Sequence, residues 1–245
     1  MKTIFVYKDK GVGGLSAKAI LRSLSKSSIT SKFLISTISA DQLIYEDWQS
    51  ECEILIFPGG QDIPYHKALQ GEGNAKIKRF VEKGGRYLGI CAGAYYGSNQ
   101  VIFEKGSENE VIEKRELSFF PGNATGTLYK EKPFSYEGHK SAHLALIQTQ
   151  NDSLCTYYNG GCYFENPEEF KSNIEVLARY KNAIYENVAA IVLCHVGKGK
   201  ALLSGVHFEV CPKYCGQDLE ICERLNLDEA KRQKLFDDLL INLIS

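Results

Sequence analysis

Ile54-Leu55-Ile56-Phe57 is an apolar run with no polar interruption, and it stops at Pro58-Gly59-Gly60. A strand that is apolar at every position must be covered on both faces, as in a parallel sheet held between helical layers. The segments around it fit that frame. Met1 to Tyr7 reads as a first strand, and Gly11-Val12-Gly13-Gly14 as the turn after it. Leu15 to Leu24 has apolar residues at helical spacing, with Lys18 and Arg22 on the opposite side. Lys32 to Ile38 reads as a second strand. A helix over Ala75 to Val81 ends at Gly84-Gly85, residues that suit a helix C-terminus. Arg86 to Ile90 is a further strand, with a helix from Ala92 onward. This alternation predicts an α/β fold, a doubly wound sheet with right-handed crossovers.

From residue 101 to 173 the pattern changes: turn signals and aromatic residues crowd in, and no long helical period is visible. This stretch reads as an insertion of antiparallel hairpins and loops that extends the sheet edge or caps the active face. Glu175 to Tyr180, Ala189 to Cys194 and Ala201 to Gly205 are three more strands, the last two joined at Gly197-Lys198-Gly199-Lys200. Residues 228–244 carry Leu235, Phe236, Leu239, Leu240 and Leu243 on one face, an amphipathic helix expected to cover the sheet. The 245 residues are therefore expected to form one domain, 1–245.

Charge narrows the partners. Lys plus Arg number 29 against 30 Asp plus Glu, and even the basic cluster Lys130–Lys132 is interrupted by Glu131. Nucleic acid is not the expected partner. No apolar run is long enough to span a membrane. Eight cysteines without an export signal, in a chain long enough to build its own core, imply reduced thiols and a cytoplasmic location.

One cysteine differs from the rest. Gly89-Ile90-Cys91-Ala92-Gly93 follows a strand and opens a helix, the thiol form of a nucleophile elbow. Its glycines allow a turn too tight for flanking side chains, and a helix N-terminus favours the thiolate. The Ala92 N–H is placed to bind an oxyanion, with Gly59 or Gly60 as the second donor from a turn on the same sheet edge. Of five histidines, His207 is the expected base, because Glu209 lies two residues on and points to the same side of an extended chain. His195, within an apolar strand, reads as a core histidine. His139 and His143 lack a following acid, and His66 lacks an orienting partner. Cys211, Cys215 and Cys222 have no paired Cys-x-x-Cys spacing, so no metal is expected. Gly11 to Gly14 lacks the lysine of a phosphate loop and the full dinucleotide fingerprint, so no nucleotide or other cofactor is expected.

Longer stretches carry a resemblance. Phe57-Pro58-Gly59-Gly60-Gln61-Asp62-Ile63-Pro64-Tyr65, Gly71-Glu72-Gly73-Asn74 and Gly85-Arg86-Tyr87-Leu88-Gly89-Ile90-Cys91-Ala92-Gly93-Ala94-Tyr95-Tyr96 come in that order. Arg115-Glu116-Leu117-Ser118-Phe119-Phe120-Pro121-Gly122, Tyr158-Asn159-Gly160-Gly161 and Gly197 through His207 follow. Together they resemble the amino-terminal domain of eukaryotic-type biotin-protein ligases, within the class I glutamine amidotransferase-like superfamily. The resemblance implies a flavodoxin-like three-layer α/β/α sandwich with Cys91 as nucleophile, His207 as base and Glu209 as its orienter. Phe208 stands where amidotransferases have proline, and Gln61 where the ligases often have Arg or Ala. No segment resembles a biotinyl-adenylate loop, so no biotin ligase activity is expected of this chain alone.

Two functions follow as expectations. The first is a Cys-His-Glu amidase or amidotransferase-like enzyme that acts on a small amide or acyl substrate, alone or with a separate synthase or ligase. Gln61, Asp62, Tyr65, Tyr95, Tyr96, Tyr158 and Asn159 are its candidate pocket residues. The second is a non-catalytic ligand- or protein-binding module on the same scaffold. A protease- or deglycase-type branch would place an acid after the first strand; Asp9 is the only one there, and the His207–Glu209 pairing argues against it.

Overall fold

The computed structural model describes residues 1–129, 133–136, 138–181, 183–185, 187–215 and 218–245; the basic cluster Lys130–Lys132 lies outside them. In chain order the strands are β1 (Thr3–Tyr7), β2 (Leu34–Ile38), β3 (Cys52–Phe57), β4 (Arg86–Ile90), β5 (Ser98–Phe103), β6 (Val111–Lys114), β7 (Phe120–Gly126), β8 (His143–Gln148), β9 (Ser153–Tyr158), β10 (Tyr163–Phe164), β11 (Ile174–Tyr180), β12 (Ala189–Val196) and β13 (Gly199–Ser204). The helices are α1 (Gly14–Lys26), α2 (Ala40–Tyr45), α3 (Asp62–Leu69), α4 (Glu72–Glu82), α5 (Ala92–Tyr96), α6 (Leu219–Leu227) and α7 (Glu229–Ile244).

Strands β2, β1, β3, β4 and β13 lie side by side and parallel in that order. This is the flavodoxin-like order, whose direction of winding reverses between β1 and β3. Beyond β13 the sheet turns antiparallel through β12, and β10, β7, β5 and β6 continue it. The expected hairpins of residues 101–173 are β5–β6 and β8–β9, although β5 and β7 pair in parallel. The β8–β9 hairpin joins through β11.

Alternation along the buried strands divides the core. Ile4, Val6, Ile54, Ile56 and Leu88 face α1 and α7, where Leu235, Phe236, Leu239, Leu240 and Leu243 form a buried stripe. Burial of each such side chain is worth about 1.5–3 kcal/mol. Tyr7, Leu55, Phe57 and Tyr87 face the other way, toward Leu43 of α2, Tyr65 and Leu69 of α3, Ile77 and Phe80 of α4, and Tyr96 of α5. Glu229 pairs with Arg22 and Lys26 and ties α7 to α1.

Several local readings are corrected. The helix that opens at Ala92 is a single buried turn, because Gly97 ends it and β5 begins at once. Helices α2, α3 and α6 break stretches without a readable period. His195 is exposed at the end of β12 and pairs with Glu175 at 2.6 Å, so it is a surface residue and not a core one. Cys215 and Cys222 are joined as a disulfide, whereas reduced thiols were expected throughout; the other six cysteines are free. No helix among the described residues is long and apolar enough to cross a membrane.

Candidate functional site

Cys91 stands between the end of β4 and the start of α5 with φ 51°, a left-handed conformation that an L-residue adopts only under strain. Two neighbours hold it there. The Cys91 N–H donates to the Ser204 carbonyl at 2.7 Å. Gly93 lies so close to β3 that a Cβ there would sit 2.1 Å from the Phe57 carbonyl oxygen. Only glycine lets α5 start this near the sheet.

His207 follows β13, the strand beside β4, and is 4% exposed. Its Nδ1 lies 2.8 Å from Glu209 Oε1, and the Glu209 side chain is fully buried. The Cys91 sulfur is the imidazole's other electrostatic neighbour, and the two residues border one cleft. Burial alone pulls the His207 pKa down; the Glu209 carboxylate and the Cys91 sulfur outweigh it and push it up to about 10. At neutral pH the favoured form is therefore the imidazolium, held between a carboxylate and a sulfur.

The Pro58-Gly59-Gly60 turn closes the other side. A Cβ on Gly59 would lie 2.4 Å from His207 Cε1, so the bare backbone is what admits the imidazole. Tyr65 supports the turn from below, its hydroxyl 3.1 Å from the Pro58 carbonyl. The Gly13 N–H donates to the Gly59 carbonyl at 2.9 Å and the Gln61 N–H to the Gly11 carbonyl at 2.8 Å, which laces the turn to the loop after β1. The Gly60 N–H makes no hydrogen bond among the described residues, and the Ala92 N–H is an orphan donor at the start of α5.

Two clefts meet at Cys91. The first, of about 510 Å³, runs from Gly11–Ser16, the turn after β1 and the start of α1, past His207 to His139, Tyr157 and Tyr214. The second, of about 310 Å³, lies between α3, α5 and the β5–β6 hairpin and is walled by Ile63, Val101, Phe103, Val111 and Phe134. Gly60, Gln61, Cys91, Phe134, Tyr136 and Asn159 border both.

The expected pocket residues separate into two groups. Gln61 and Asn159 line both clefts, while Asp62 and Tyr95 line the second. The Asn159 carbonyl stands 3.8 Å from Cys91 Sγ. Tyr65, Tyr96 and Tyr158 are instead fully buried behind the clefts. The Tyr96 hydroxyl donates to Asn74 and the Tyr158 hydroxyl to the Gly161 carbonyl, so both satisfy buried acceptors. Asp9 lines neither cleft; its carboxylate accepts from the Ala40 N–H at the start of α2.

The sequence sets His139 aside for want of a following acid, and nothing in it singles out Tyr157 or gives Arg115 a role. The Tyr157 ring lies between His207 and His139, 5.7 Å and 5.8 Å from them, and its hydroxyl is 2.7 Å from His139 Nδ1. Its carbonyl accepts from the His207 N–H at 2.9 Å, which fastens the β8–β9 hairpin to the candidate base. Burial lowers the His139 pKa, so that imidazole is neutral at physiological pH. Arg115 is fully buried and holds Asp62 through Nε at 2.8 Å and Nη2 at 2.7 Å, with Glu113 on its Nη1 at 3.0 Å. Among the described residues no group of three or more His, Cys, Asp or Glu side chains is gathered to hold a metal ion.

Comparison with known proteins places the chain. The family model of the biotin-protein ligase N-terminal domain matches residues 2–244. This chain belongs to that family. A Chlamydia muridarum protein described only as uncharacterized is 39% identical over 219 residues, 88% of this chain and 83% of its own length. The biotin–protein ligase of Schizosaccharomyces pombe is 32% identical over 241 residues, 97% of this chain; the match spans 37% of the ligase. Among solved structures, a glutamine amidotransferase from Thermotoga maritima aligns over 100% of this chain and 98% of its own, with a TM-score of 0.59 at 12% identity. At that identity the likeness is one of fold, and it agrees with the strand order above.

Proposed function

We propose that this biotin-protein ligase N-terminal-type domain is a cysteine-dependent amidase or amidotransferase-like enzyme with Cys91, His207 and Glu209 as its working set. The observation that carries the reading is geometric: buried His207 holds Glu209 at 2.8 Å on Nδ1 and shares a cleft with Cys91, which stands at a strained elbow. A thiolate paired with an imidazolium at a strained elbow is the arrangement that cysteine nucleophiles use. The Cys91 sulfur attacks the acyl carbon, and its C–O π pair moves onto oxygen, for which the unpartnered N–H groups of Gly60 and Ala92 are the donors. Collapse breaks the C–N bond. His207 gives its proton to the leaving nitrogen and leaves a thioester on Cys91. Neutral His207 then takes a proton from water or an acceptor amine, which attacks the thioester and expels the Cys91 sulfur as thiolate beside the restored imidazolium.

Alkylation tests this directly. With iodoacetamide at neutral pH, read by peptide mass spectrometry, Cys91 should react at least about tenfold faster than Cys155 or Cys194. His207→Ala should remove that advantage. Equal labelling of all three cysteines, unchanged in His207→Ala, would turn the reading to a binding module.

A further inference from the structure

The two clefts differ in chemistry, and the thiol at their junction assigns each an end of the substrate. His207 Nε2 must reach the leaving nitrogen to protonate it, because Nδ1 is occupied by Glu209. His207 borders the first cleft and not the second, whose walls contain no histidine. The leaving group therefore lies in the first cleft, among Gly11–Ser16, Ser135, Asn159 and His139. The acyl substituent must extend to the other side of the sulfur, into the second cleft.

That cleft is apolar. Ile63, Val101, Phe103, Val111 and Phe134 form its walls. Among the described residues its one acid is Asp62, already gripped by two nitrogens of Arg115, whose side chain has no exposed surface to offer a ligand carboxylate. A zwitterionic acyl group of the glutamine type would lose hydration there and find no free counter-charge among the described residues. An aliphatic or aromatic group would gain by burial.

We propose, resting on the thiol reading above, that the substrate is an N-acyl compound with an uncharged apolar acyl group seated against Val101, Phe103, Val111 and Phe134, its polar amine half lying in the cleft that His207 borders. The acyl group is then carried on sulfur as the C–N bond breaks and the amine departs with the His207 proton. Thioester hydrolysis releases an apolar carboxylic acid.

Chloromethyl ketones test the acyl side alone, since the thiolate displaces chloride and forms an S–C bond with no leaving amine. Three are compared at Cys91 of the full chain: chloroacetone, benzyl chloromethyl ketone and the chloromethyl ketone that mimics the glutamine side chain. Each rate is divided by that reagent's rate with N-acetylcysteine. The benzyl reagent should exceed chloroacetone by at least about tenfold. The glutamine mimic should show no gain. Val111→Asp should bring the benzyl-to-chloroacetone ratio close to one, and the near-isosteric Val111→Thr should cut it about threefold. A glutamine mimic that reacts fastest, or a benzyl preference that survives both variants, overturns the assignment while fast labelling by iodoacetamide leaves the thiol reading standing. If every reagent, iodoacetamide included, labels Cys91 no faster than Cys155, both fall together.

Discussion

Glu209→Gln removes one charge from a fully buried pair, and the size of the effect follows from His207. The imidazole is raised from an ordinary 6.5 to about 10, although burial alone would lower it. At about 1.4 kcal/mol per pH unit, the surroundings favour its protonated form by on the order of 5 kcal/mol. Removal of one partner from a buried ion pair costs about 3–5 kcal/mol, the same range. A raised histidine stabilises the fold fully below its unfolded pKa, and that contribution fades as pH rises through the folded value. The stability gap between wild type and Glu209→Gln should thus be widest below about pH 6.5 and narrow steadily up to about pH 10. Urea unfolding across that range reads it, and near pH 6 the melting temperature should fall by roughly 10 °C. Repetition in Cys91→Ala isolates the part owed to the sulfur. A gap below about 1 kcal/mol, or one that is flat with pH, would refute the imidazolium assignment.

Two further outcomes follow from packing. Gly93→Ala puts a methyl group 2.1 Å from the Phe57 carbonyl and should destabilise the chain by about 3 kcal/mol or more in thermal melts, with Cys91 labelling slowed as the elbow opens. Arg115→Met strands the Asp62 carboxylate, whose pKa burial already raises against the pull of Arg115; the variant should lose about 3–5 kcal/mol, and a second change, Asp62→Leu, should restore most of it.

Where local chemistry decides structure, the sequence was readable. The unbroken apolar character of β3, the glycines around Cys91 and the Leu/Phe stripe of α7 each constrain their own few residues. Helix α2 is harder to see, since its six residues rest on a capping box, Ser39 with Gln42. That signature is present in the chain but spans too few residues to show a period. Helix α3 has Pro64 in its first turn and buries only Tyr65 and Leu69, too few to set a period. Tyr65, Tyr96 and Tyr158 look like pocket residues because they flank the motifs, yet their hydroxyls answer buried acceptors that only the tertiary fold provides. His139 and Tyr157 are 18 residues apart and meet through the hairpin. No local pattern announces such a pair.

The Gly59 backbone against the His207 ring and the Gly93 backbone against Phe57 have an evolutionary consequence. The parts that aim the thiol and the imidazole fit by main-chain contact, where any added carbon collides, so they have no room to drift. The walls of the apolar cleft come from side chains on the β5–β6 hairpin and from Phe134, between β7 and β8, which can vary without moving the elbow. A saturation scan of this domain should show an intolerant framework at Gly59, Gly89 and Gly93 beside a permissive wall at Val111 and Phe134. Diverging relatives could change what they bind while keeping the same reactive geometry.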